Sequence, residues 1–149
     1  MFDQKIVKFP DMKFENKEDV VAYLADFLYE ENKISDKKEY IKAVMKREAV
    51  MPTEIGYFIA IPHGESKSVN ESFCACVKLK NPIIWDKEEV KYVFNVGVPI
   101  EQRNEEHIRI LSRLCSDLML EDFRNSLYAC ETEKELYEKM ESITKELPV

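Results

Sequence analysis

Glycine is scarce in this chain, with three residues among 149. So few glycines cannot wrap a nucleotide phosphate in backbone N–H groups. No Gly-rich phosphate loop, Walker sequence, Gly-x-Ser-x-Gly elbow or metalloprotease helix occurs. Long apolar runs are also missing; none approaches the ~20 residues that span a bilayer. The opening Met-Phe-Asp-Gln-Lys has no basic segment followed by an apolar one, as a secretory signal would. The expected location is therefore the cytoplasm, with no direct membrane insertion. Lys and Arg form no stripe and the net charge is −7, so nucleic acid is not an expected partner. None of the four cysteines forms a Cys-x-x-Cys pair. They lack recognised metal-ligand spacing with the histidines, so neither a metal nor a cofactor is expected. In a reducing compartment Cys74, Cys76, Cys115 and Cys130 are expected to be free thiols acting as small apolar residues.

What is present is a soluble-type composition. Apolar residues make up 45% and charged residues 34%, enough for a core of the size one domain of this length builds. With no repeat and no linker, residues 1–149 are expected to form one domain. Lys5 to Phe9 suggests a first strand. Asn16 caps a helix carrying Val20, Tyr23, Leu24, Phe27 and Leu28 and ending near Asn32. Asp36 caps a second helix, with Tyr40, Ile41, Val44 and Met45 on its apolar face, which ends before Pro52. Ile59 to Ile61 reads as a short strand leading to a sharp Pro62-His63-Gly64 turn. Ser72 to Lys80 alternates as a strand, with Cys74 and Cys76 on one face. Asn81-Pro82 marks a bend, Ile83 to Trp85 a short extension, and Asp86 to Glu89 a polar turn. Val90 to Val98 is the most apolar strand, with polar residues only at Lys91 and Asn95, and is expected at the centre of the sheet. Asn104 caps a helix bearing His107, Leu111, Leu114 and Leu118. Glu121 to Ser126 is a short helical piece. Thr132 opens a last helix with Leu136, Tyr137, Met140 and Ile143. Strands grouped between helical blocks predict an α/β sandwich, a mixed sheet flanked by helices.

The chemistry narrows to two histidines, each in a special place. His63 follows a strand. His107 lies in the first turn of a helix, where free N–H groups favour a phosphate and a neutral imidazole. Phosphoryl transfer to nitrogen needs that neutral ring, because the attacking atom must offer a lone pair. A second histidine can hydrogen-bond the phosphoryl oxygens, and Arg47 can balance their charge. Each residue also has a plainer reading. His63 could be a surface-turn residue, His107 a cap-region residue half buried on the core, and Arg47 a cation complementing its helix C-terminus.

Ile55-Gly56-x-x-Ile59-Ala60-Ile61-Pro62-His63-Gly64, preceded by Arg47-Glu48, closely resembles the active-site signature of the mannitol/fructose-type enzyme IIA proteins of the bacterial sugar phosphotransferase system. Asn104-Glu105-Glu106-His107-Ile108-x-x-Leu111-Ser112-x-Leu114 looks like the segment carrying that family's second active-site histidine. The resemblance implies that His63 takes a phosphoryl group from the phosphocarrier HPr on its Nε2 (tele) nitrogen and passes it to a cysteine of enzyme IIB. It implies that His107 stabilises the group and Arg47 balances its charge. Tyr57-Phe58 departs from the small or polar residues many members carry there, which bears on the width of the pocket and the choice of partner. Pro52 to Gly56 and the Pro82-Ile83-x-Trp85-Asp86 segment also look like the versions of this domain at the end of sugar-responsive transcription regulators, where phosphorylation is a signal.

Overall fold

The structure is a computed structural model and describes residues 1–101 and 104–145. A 3-10 turn at Gln4–Ile6, capped by the Asp3 side chain, leads into β1 (Val7–Lys8), so the first strand is shorter than the expected Lys5–Phe9. Helix α1 (Lys17–Glu30) begins where Asn16 Oδ1 accepts from the Asp19 N–H at 3.0 Å. It ends at Glu30, and Asn32 just beyond has a φ of 59°, the left-handed conformation asparagine tolerates after a helix. Helix α2 (Lys37–Val50) starts on an Asp36 cap of the same kind. Six strands make one mixed sheet: β1, β2 (Glu54–Gly56), β3 (Ile59–Ala60), β4 (His63–Ser66), β5 (Phe73–Ile84) and β6 (Glu89–Pro99). Its order is β1-β5-β6-β3-β2, and β4 continues beyond β3 along the same side of β6. Helices α3 (Glu105–Leu118), α4 (Glu121–Tyr128) and α5 (Glu133–Lys145) complete the chain.

The alternation expected along β5 sorts the core into two layers. Phe73, Ala75, Val77 and Leu79 face α1 and α2 together with Ala60, Val90 and Val93. Cys74 and Cys76 face α3, α4 and α5 together with Ile59, Phe94, Leu114, Leu136 and Met140. All four cysteines are free thiols. Burial pushes the Cys74 and Cys76 thiols far above their ordinary range, so neither offers a thiolate. The bend expected at Asn81-Pro82 is a register shift within one continuous strand, between Lys78 and Ile83. A bulge is where a sheet tolerates proline, which has no N–H for the ladder.

The glycines divide by cause. Gly64 and Gly97 are register partners on β4 and β6, and neither has a positive φ. A Cβ on Gly64 would stand 2.5 Å from Tyr40 Cε1, and one on Gly97 would stand 2.2 Å from Phe73 Cζ. Two aromatic rings lie over this spot, their centroids 5.9 Å apart, and only hydrogen fits beneath them. Pro62-His63-Gly64 is accordingly no sharp turn. It is a jog between β3 and β4, both of which run parallel to β6. The sequence reading took Gly64 for backbone freedom; what the position requires is space.

Gly56 does use its freedom, with φ of 82°. The β2–β3 hairpin then closes on Tyr57 and Phe58, at φ 56° and 64°. Turns with two positive φ values suit Asn-Gly, and each L side chain held there costs about 1–2 kcal/mol. The turn is held by its surroundings. Lys91 and Tyr92 N–H both donate to the Phe58 carbonyl at 2.9 Å, the Tyr128 hydroxyl donates to the Tyr57 carbonyl at 2.5 Å, and Arg124 stacks 3.7 Å over the Tyr57 ring. Replacing Phe58 separates backbone strain from lost side-chain contact. Phe58→Gly should exceed Phe58→Ala in unfolding free energy by about 1 kcal/mol, because only glycine is free of the left-handed penalty. Urea titration of both variants checks this; equal stabilities would show that the turn relaxes.

Candidate functional site

A cleft of about 770 Å³ opens between α2, β4 and the start of α3. Its lining includes Lys42, Lys46, Arg47, His63, Ser66 and Ile108. The close packing of α2 on Gly64 creates it, by laying the last turns of that helix beside the first residue of β4. Lys42 and Lys46 are one turn apart on α2 and with Arg47 outnumber the carboxylates of Glu39 and Glu65 in the lining, so a chain of net charge −7 presents a small excess of cations at this mouth.

His63 and Arg47 are brought together. His63 is half-buried, and its Nδ1 is sealed from solvent without a hydrogen-bond partner. Burial holds its pKa below the ordinary value. The Arg47 cation pushes the same way, while the Ile61 carbonyl beside the ring and the Glu48 carboxylate push back. The carbonyl lies near the ring but outside hydrogen-bond geometry to Nδ1. The net effect is a neutral imidazole at pH 7 with one lone pair to offer. Arg47 is exposed, and its Nη1 donates to the Met51 carbonyl at 2.8 Å. The expected helix-terminus role is thus real, but it uses one of five guanidinium donors.

His107 is placed differently. It sits in the first turn of α3, where its N–H donates to Asn104 Oδ1 at 3.2 Å, as the cap assignment required. Its ring is half-buried, and it is Ile108, the next residue, that lines the cleft. Among the described residues only two buried side-chain polar atoms lack a hydrogen-bond partner, His63 Nδ1 and His107 Nδ1. Buried polar atoms are almost always satisfied, so two orphans confined to these two rings call for an explanation. Tyr57 and Phe58 do not line the cleft. They lie at the far end of β3, beside Lys91 and Tyr92 of β6, whereas His63 pairs with Val96. They do not line the walls that set the pocket's width, which answers the question their size raised in the sequence.

Sequence reasoning missed Glu48. Its carboxylate is 2% exposed and collects four polar partners. Thr53 donates through N–H at 3.3 Å and through its hydroxyl, Trp85 Nε1 donates at 3.2 Å, and Lys17 Nζ lies at 3.5 Å. The Thr53 carbonyl in turn accepts from the Ile61 N–H at 3.0 Å, two residues before His63. Its one sequence signal was its place beside Arg47 in the Arg-Glu pair. The buried Asn95 and Tyr40 were also missed as site-building residues; Asn95 stood out only as a polar residue in the most apolar strand.

Comparison with known proteins gives concordant findings. The family model described as "Phosphoenolpyruvate-dependent sugar phosphotransferase system, EIIA 2" matches residues 1–143. The chain is 30% identical over 112 residues to "Multiphosphoryl transfer protein 2" of Escherichia coli (strain K12), covering 75% of this chain but only 13% of that longer protein. It is 29% identical over 121 residues to the "PTS system fructose-specific EIIA component" of Haloferax volcanii, covering 79% of this chain and 78% of that one. Among solved structures, the Escherichia coli complex of enzyme IIA and phosphorylated enzyme IIB for mannitol contains a chain matched at TM-score 0.75. The match has 20% identity and covers 95% of this chain and 98% of that one, a likeness of fold.

The depressed pKa of His63 carries a stability consequence. The unfolded ring titrates near the ordinary 6.5, and the folded ring lower. The contribution to stability is therefore complete above the unfolded value and is lost as pH falls toward the folded one. Urea titrations at about pH 7.5 and about pH 5.5 should show a loss of stability on acidification that is smaller in His63→Gln. Identical losses would mean that this ring does not titrate as its surroundings require.

Proposed function

The chain belongs to the EIIA 2 family of the phosphoenolpyruvate-dependent sugar phosphotransferase system, and we propose that it is a cytoplasmic phosphocarrier working through His63. The observation that carries this reading is the sealed, unpartnered Nδ1 of a neutral His63 in a cleft shared with Arg47. With Nδ1 closed off, Nε2 is the nitrogen left to attack. Nδ1 keeps the ring proton and Nε2 supplies the lone pair. A nitrogen–phosphorus bond forms at Nε2 as the bond from phosphorus to HPr breaks. The reverse displacement by a cysteine of enzyme IIB empties the ring again. Arg47, helped by the cations on α2, offsets the added phosphoryl charge. His107, at a helix N-terminus beside the cleft, donates to the phosphoryl oxygens during transfer.

Among the described residues no helix is long and apolar enough to cross a bilayer. A complex of mannitol IIA with phosphorylated IIB is known for the Escherichia coli proteins, and it supports a partner of that kind here.

The test is incubation with phosphoenolpyruvate, enzyme I and HPr, followed by mass measurement and then addition of candidate IIB proteins. One acid-labile phosphoryl group should appear, and His63→Ala should abolish it. His107→Ala should still be labelled, but onward transfer should slow by roughly 10² to 10³, with partial recovery in His107→Gln. Labelling that survives in His63→Ala and fails in His107→Ala would reverse the two roles. A labelled chain that yields its phosphoryl group to no IIB cysteine would point to the regulatory reading.

A further inference from the structure

Tyr40 and Asn95 are both fully buried, and packing alone does not account for their polar atoms. The Tyr40 hydroxyl donates to Asn95 Oδ1 at 2.6 Å, and Asn95 Nδ2 donates to the Pro62 carbonyl at 3.0 Å. That carbonyl already accepts from the Val96 N–H, also at 3.0 Å. The Asn95 bond is therefore surplus to satisfying it. What the bond adds is direction, because two donors on one carbonyl oxygen fix the plane of the Pro62–His63 peptide. On the other side of His63, the same Tyr40 presses its ring onto Gly64. One tyrosine–asparagine pair thus holds both sequence neighbours of His63.

Neither side chain reaches the cleft. A phenylalanine and a leucine would fill much of the same space without removing two polar groups from water, and such a replacement is often close to neutral in stability. A purely structural role leaves the choice of a polar pair unexplained.

We infer that Tyr40 and Asn95 are positioning residues for His63, clamping Pro62 and Gly64 so that the ring keeps one aim into the cleft. They touch neither the transferred group nor a partner. The kinetic arm of the test rests on the phosphocarrier reading; the spectroscopic arm does not.

Three variants separate positioning from stability. Tyr40→Phe keeps the ring on Gly64 but removes the hydroxyl that anchors the Asn95 amide, so the Asn95 bond to Pro62 loses its fixed direction. Asn95→Leu removes the clamp on Pro62. The double variant removes both polar groups while Val96 still satisfies the Pro62 carbonyl. Urea midpoints should fall in the single variants and recover in the double. Phosphoryl uptake from phosphorylated HPr should not recover. It should stay roughly 10- to 100-fold slow, the scale of a small misplacement of the reacting group. Affinity for unphosphorylated HPr should be unchanged, since neither side chain reaches the surface. The NMR signals of the His63 ring, followed in the unphosphorylated chain, should shift or broaden in Tyr40→Phe and in the double variant.

Uptake that recovers together with stability would overturn the inference, as would His63 signals that match the wild type. If the leucine variants fail to fold, Tyr40→Phe decides alone, and wild-type uptake in it would overturn the clamp. If the wild-type chain takes no phosphoryl group from HPr, it is the phosphocarrier reading that fails, and the ring signals then decide the clamp.

Discussion

Two hydrogens where other residues would carry side chains determine how this molecule is put together. Gly64 and Gly97 lie side by side in register, and the rings of Tyr40 and Phe73 occupy the space above them. A methyl group at either position would meet a ring at well under van der Waals distance, and a packed interior has little room to give. Helix α2 comes down onto the sheet here, at the point where His63 begins its strand. The cleft, the cations along its edge and the approach of Arg47 to the imidazole all follow from that contact.

The far end of the same helix is fixed by charge. Glu48 is buried beyond reach of bulk water, so its carboxylate must be met by donors inside the protein. They come from three directions: Lys17 at the start of α1, Trp85 at the tip of the β5–β6 hairpin, and Thr53 in the segment leading to β2. Glu54 repeats the device on the surface, accepting from the N–H groups of Asp86, Lys87 and Glu88. The stretch from 48 to 54 is thereby tied twice to one hairpin tip. A buried carboxylate that loses a partner typically costs about 3–5 kcal/mol, so these donors set the position of Arg47 firmly.

Much of this was legible in the residue order. The caps at Asn16, Asp36, Asn104 and Thr132 read correctly because a cap is a local event, one side chain reaching a backbone N–H three residues on. The alternation along β5 read correctly because a period of two belongs to the strand itself, and the central place of β6 because a strand covered on both faces is apolar nearly throughout. The strands β2 and β4 did not read: β2 is short and turns into β3 through Tyr57-Phe58 without an Asn-Gly signal, and β4 pairs only with β6, far along the chain. His63 was singled out, but its setting was taken for a turn: the sequence shows a proline and a glycine, and cannot show the tyrosine ring that makes the glycine necessary. Glu48 and Asn95 remained hidden as builders of the site for the same reason. A buried polar residue becomes intelligible only when its partners are in view, and theirs lie as many as 55 residues away. Tyr57 and Phe58 drew attention for their size, whereas their distinguishing property is the sign of φ, which periodicity does not encode.

The sealed face of the His63 ring has a consequence for traffic. Under the phosphocarrier proposal, with Nδ1 closed, a donor and a recipient of the phosphoryl group would have to use the same nitrogen through the same opening, so one would have to leave before the other arrives. Such a carrier is a turnstile, and the departure of each visitor limits its throughput. Tight association would slow the flow it exists to sustain. Association differences are expressed mostly in dissociation rates, and brief encounters go with small contact areas. On that proposal the surface around this cleft would be under pressure to recognise two different visitors well enough to aim them, and to hold neither.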